Sequence, residues 1–154
     1  MEKVNGKMES FSPIRDEGSR ITICYGLKQL NEGLFEWHEI YLPKKQLSQL
    51  SLSDVKAAII TDINERITTN IIGGMKFDEK PVWLSIENQI NFSQATAPCR
   101  LKIGEEEDGS PVYHDFETKT ALKAFNDKCQ EWKNGCLDAG RTEKENIDWE
   151  PYEK

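Results

Sequence analysis

The sequence predicts an α+β fold in which small antiparallel β-hairpins pack with two long helices and one short helix. Three observations carry this expectation. Apolar and polar residues alternate along three pairs of segments, each pair joined by a turn-forming stretch. Val55, Ile59, Ile63, Ile67 and Ile71 recur every four residues, a spacing that lines one face of a helix. Leu122, Phe125, Cys129, Trp132 and Cys136 step by 3, 4, 3 and 4, which places a second seam on a second helix.

The elements follow in order. Residues 1–18 read as a polar N-terminal arm, with Gly6, Ser10, Ser12, Pro13 and Gly18 interrupting any pattern. Residues 19–52 read as a β-hairpin and linker. Ile21, Ile23 and Tyr25 alternate with Thr22 and Cys24; Phe35, Trp37 and Glu39 alternate with Leu34, Glu36 and His38. Asn31-Glu32-Gly33 is the turn between them, and Pro43 ends the return strand. A polar stretch from Lys44 to Ser51 leads to a helix capped by Ser53, with Asp54 beside the helix dipole and Gly73-Gly74 as the stop.

Met75 to Leu84 reads as a tighter hairpin, turning at Asp78-Glu79-Lys80 with Pro81 opening the return strand. Val82-Trp83-Leu84 has the look of a buried run, and Ser85 then caps a short helix whose apolar face is Ile86, Ile90 and Phe92. The amides of Asn88, Gln89 and Asn91 either read a ligand or tie that helix to nearby backbone carbonyls; the second is the expectation. "CRLKIG" and "PVYHDF" form the third hairpin around Asp108-Gly109. The acidic run Glu105 to Asp108 lacks the spaced oxygens of a calcium loop and reads as a solvated tip. Thr118 caps the last long helix, which should end at Ala139-Gly140. Its seam packs against the first helix or serves an oligomer. Trp83 and Trp132 are expected core anchors. Trp149 and Tyr152 near the end either dock on the body or offer a contact.

Composition narrows the functional classes. The chain has 154 residues, one ordinary domain or a domain with an appendage, and its net charge is −7. Residues 1–100 hold 12 basic and 13 acidic side chains, residues 101–154 hold 8 and 14, so the last third is acidic. Acidity repels phosphate, which argues against nucleic acid as a partner. No apolar run approaches the roughly 20 residues that span a bilayer, and the first residues look like neither a signal peptide nor a lipidation signal. A cytosolic product without membrane contact is the expectation. Cys24, Cys99, Cys129 and Cys136 include no CxxC pair and read as reduced thiols.

No catalytic constellation stands out. His38 and His114 sit in expected strands, and His114 beside Asp115 is no dyad because neighbours on a strand point to opposite faces. There is no nucleophile elbow, P-loop, dinucleotide fingerprint or HExxH helix. No catalytic, cofactor-binding or metal residue is therefore assigned, and the expectation is a protein that is not an enzyme and carries no cofactor.

Several segments together resemble an uncharacterised domain of tail-fibre and other tail-associated proteins of tailed bacteriophages and prophages. They are Ile63-Asn64-Glu65-Arg66, Pro81-Val82-Trp83-Leu84-Ser85, Glu87-Asn88-Gln89, Asn91, Pro111-Val112-Tyr113-His114, Phe116 and Ile147-Asp148-Trp149. The resemblance covers residues 53–152, so 53–154 is expected to be a phage-tail-associated α+β domain. The family's first tight turn usually holds glycine where this chain has Glu79. The resemblance implies a structural tail component, fibre-associated, baseplate or adaptor, made in the host cytoplasm. Its partners would be other tail proteins or further copies of itself, the arm 1–18 exchanging between subunits. The alternative is a non-virion assembly factor or chaperone for tail fibres. The family lends no catalytic residue.

Overall fold

A computed structural model describes residues 2–43 and 50–153. It bears out the α+β class, with three helices and antiparallel strand pairs. The strands are β1 (Glu2–Gly6), β2 (Ile14–Asp16), β3 (Arg20–Asn31), β4 (Leu34–Pro43), β5 (Met75–Phe77), β6 (Lys80–Val82), β7 (Cys99–Glu105) and β8 (Pro111–Phe116). The helices are α1 (Leu52–Gly73), α2 (Ile86–Gln94) and α3 (Lys119–Glu145). Residues 44–49 of the expected polar connector lie outside the described residues. Two compact units result, Met1–Asn64 with Glu143–Lys154, and Glu65–Thr142.

The first unit holds a four-stranded antiparallel sheet in the order β1-β4-β3-β2. The expected polar arm is therefore replaced by two edge strands. Val4 pairs with Trp37 and Ile14 with Ile23, and the glycines and proline that looked like breakers only bound these short strands. A β-carbon on Gly6 would lie 2.7 Å from Trp37 Cη2, so glycine lets the indole lie across the strand end. Phe11 meets the same indole edge-on at 5.8 Å. On the other face of the sheet Ile21, Ile23 and Tyr25 are buried, and Tyr25 donates its hydroxyl to the buried carboxylate of Asp62 on α1.

Helix α1 begins two residues earlier than expected, because Ser51 and not Ser53 caps it. Ser51 Oγ accepts Asp54 N–H at 3.2 Å, while the Asp54 carboxylate accepts Ser51 N–H at 3.0 Å, the reciprocal arrangement of a capping box. The C-terminal turn Glu150–Tyr152 docks on the first unit. Tyr152 is buried and donates its hydroxyl to the Cys24 carbonyl, and Trp149 is partly buried with Lys56 over its ring, so this end is no exposed aromatic contact.

In the second unit, hairpins β5–β6 and β7–β8 are joined by Trp83 N–H donating to Ile103 O at 2.7 Å. Their inner faces, with Phe92 of α2, pack on Leu122, Phe125 and Cys129 of α3. Phe125 is the hub, edge-on or tilted to Phe77, Phe92 and Phe116 at 5.0–5.1 Å. The α3 seam thus lies in the core, but it packs on the hairpins and α2 as well as on Ile71 of α1, and Trp132, expected as a core anchor, is only partly buried with Cys136 at its far end. The helix runs past Ala139-Gly140 to Glu145. Gly140 is buried inside it, and a β-carbon there would lie 1.9 Å from Ile67 Cδ1. Glycine here serves a close helix–helix approach and not a stop. The β5–β6 loop is Asp78-Glu79, both at positive φ (47° and 64°), the geometry of a type I′ turn.

Candidate functional site

Two clusters of side chains call for a chemical account, one in each unit. In the first unit, β4 presents Trp37, Glu39 and Tyr41 on one face, opposite Thr22 and Cys24 of β3. Glu39 is buried, yet it is fully served: Arg15 Nη2 lies 2.7 Å from Oε1, Trp37 Nε1 donates to Oε1 at 3.1 Å, and Tyr41 donates to Oε2 at 2.8 Å. Burial pushes this carboxyl up, but the bonds from Trp37 and Tyr41 and the Arg15 charge outweigh it and hold it below its ordinary value. Glu17 extends the chain, accepting from Arg20 Nε at 2.7 Å and Thr22 Oγ1 at 2.8 Å, and the Arg20 guanidinium lies 4.0 Å over the Tyr41 ring. The carboxylates of Glu39 and Glu17 each have their partners within the cluster, and among the described residues only Arg15 Nε is buried there without one, so its chemistry is that of a structural network.

The thiol of Cys24 sits 3.8 Å from Glu39 Oε1, and burial pushes it up to about 11. Burial likewise pushes Cys129 up to about 12. Thiols held protonated in this way are poor nucleophiles. All four cysteines are free. His38 stacks on Tyr25 with ring centroids 5.2 Å apart, and His114 lies against Phe116 at 4.6 Å. Among the described residues no group of three His, Cys, Asp or Glu side chains could hold a metal ion, and no helix is long and apolar enough to cross a membrane.

The second unit offers a surface. Ser85 caps α2 as the sequence predicts, its Oγ accepting Asn88 N–H at 3.2 Å. The amides also tie the helix down: Asn88 Nδ2 donates to Trp83 O at 2.8 Å and Gln89 Nε2 to Leu84 O at 2.9 Å. Strand alternation continues through Val82-Trp83-Leu84, so Val82 and Leu84 point inward and Trp83 outward, 50% exposed. The expectation that Trp83 anchors the core is overturned for that reason. The expected apolar face of α2 also divides. Phe92 enters the core, while Ile86 and Ile90, one turn apart, stand 78% and 49% exposed. Trp83, Ile86 and Ile90 make an apolar ridge that a sequence reading of buried anchors misses; the alternation from Val82 to Leu84 was the signal that could have found it.

Between α2 and α3 lies a cavity of about 240 Å³ lined by the apolar side chains of Leu84, Phe92 and Cys129 and the polar ones of Gln89, Asn126 and Lys133. Lys133 Nζ donates to Gln89 Oε1 at 3.0 Å, and Asn126 Nδ2 to Phe92 O at 3.1 Å. Such a site can bury an apolar group against its apolar lining and offer hydrogen bonds from its polar side chains. Comparison with protein-family models, with curated proteins and with solved structures finds no match to this chain.

Proposed function

We propose that the protein acts through protein–protein contacts and not by catalysis, as a structural component of a bacteriophage tail: a fibre-associated, baseplate or adaptor subunit. One observation carries the reading. The solvent-facing side chains Trp83, Ile86 and Ile90 fall inside residues 81–92, the stretch that most resembles the tail-associated domain. Large apolar side chains left in water on an ordered strand–helix junction are the usual mark of a binding surface. The wider protein carries a net charge of −7, which favours protein over nucleic acid as the partner.

Mass spectrometry of purified particles from the phage or prophage that encodes the chain tests the proposal. A tail component is recovered at a fixed copy number relative to known tail proteins. Its absence from particles, with the protein abundant in the producing cell, would replace this reading by the assembly-factor alternative.

A further inference from the structure

We propose that the cavity between α2 and α3 is a docking groove for a segment of a partner protein in which an acidic side chain stands beside a large apolar one. The acidic group would meet Lys133. This deepens the contact reading above, on which it rests, and it does not depend on membership of the virion.

The argument starts from Lys133, which is partly buried on the groove wall. Two other lysines of α3 have company: Lys123 pairs with Asp127 at 2.8 Å, and Lys128 lies over Phe77. Lys133 differs. Its neighbours one turn away on α3 are Cys129, Gln130, Cys136 and Leu137, none of them acidic. Among the described residues its hydrogen bond goes to a neutral amide, Gln89, and no carboxylate pairs with it. A cation drawn partly out of water in a cavity lined by Leu84, Phe92 and Cys129 interacts more strongly with an incoming carboxylate than an exposed lysine would.

The apolar surroundings decide the kind of ligand. Ile86 and Ile90 stand exposed on α2, which supplies one wall of the groove, and Leu137, 46% exposed, lies one turn beyond Lys133 on α3, which supplies the other. A small free carboxylate would fill the 240 Å³ cavity but leave these side chains in water. A peptide segment covers them and supplies the charge at once, as an apolar anchor in a groove does in helix-in-groove recognition.

The test is selection of a displayed library of random short peptides on the immobilised full-length chain, followed by affinity measurement with the synthetic winners. The expected winners place Asp or Glu next to Leu, Ile, Phe or Trp. Lys133→Met, which keeps the apolar stem, should weaken them roughly tenfold or more, as loss of a charge-assisted bond does. Ile90→Ser should weaken them while leaving the circular dichroism spectrum unchanged. N-acetyl-leucine, a free apolar carboxylate, should compete only far above the peptide concentration. Winners without an acidic residue, binding indifferent to Lys133→Met, competition by N-acetyl-leucine at peptide-like concentration, or no winners at all would overturn the proposal. Each result is independent of whether the protein is found in particles.

Discussion

Gly140 of α3 faces Ile67 of α1 so closely that a β-carbon at 140 would stand 1.9 Å from Ile67 Cδ1 and 2.5 Å from its Cγ1. Five residues earlier on the same helix, Gly135 has nothing within 4 Å of such a carbon. The same substitution should therefore act with opposite signs. Gly135→Ala is expected to stabilise by about 0.5–1 kcal/mol through helix propensity alone. Gly140→Ala gains the same propensity but forces Ile67 from its place, at a cost of about 1–3 kcal/mol, and should be net destabilising. Ile67→Ala in the second background should recover part of that loss. Urea midpoints of the four proteins check it.

Deleting residues 1–18 should damage the first unit. The deletion removes β1 and β2, strips Phe11 from Trp37, and takes Arg15 from the buried Glu39 carboxylate. Exposing one large aromatic and orphaning one buried charge should together cost at least about 3 kcal/mol. Thermal unfolding followed by circular dichroism checks this, and an unchanged transition would mean that the strands add nothing to the sheet.

Acid should unfold the protein partly through Glu39. Its folded-state carboxyl lies below the ordinary 4.5, since Trp37, Tyr41 and Arg15 together overcome the effect of burial. A depressed folded value means that the carboxylate contributes stability above pH 4.5, and that this is lost as pH falls through the lower folded value. Glu39→Gln should cost about 1–3 kcal/mol at neutral pH. The difference from the parent should shrink steadily as denaturation is repeated at lower pH. A constant difference would show that the network is not electrostatic.

Glu79→Gly should stabilise the β5–β6 hairpin. Glu79 holds φ 64°, where a β-carbon costs about 1–2 kcal/mol, and glycine's looser unfolded chain returns only about half of the gain. A rise in stability of up to about 1 kcal/mol is expected from the urea midpoint.

The fold was legible where local signals agree. The isoleucine stripe of α1, the Ser85 and Thr118 caps and the Asp108-Gly109 turn each combine propensity with pattern, and Ala121 N–H does bond to Thr118 Oγ1 at 3.1 Å. Misreadings arose where a residue's role depends on something distant in sequence. Gly140 reads as a stop until Ile67 lies against it, and Val4 and Ile14 read as parts of an arm until β4 and β3 supply partners. The ridge at Trp83, Ile86 and Ile90 was misplaced in the core because apolar side chains imply burial only on average. Lys133 carried no sequence signal, since its significance lies in the neutral amide across the groove.

Incorporation of an altered protein into particles tests the central claim most directly. The Ile86→Ser, Ile90→Ser double variant changes two exposed side chains and should fold with an unfolding midpoint close to that of the parent. The proposed tail role predicts that, with this variant as the only copy, quantitative mass spectrometry of purified particles finds it depleted at least about tenfold, as loss of two interface anchors implies. Particles that carry the variant at the parent's copy number would contradict the claim that this ridge is where the protein does its work.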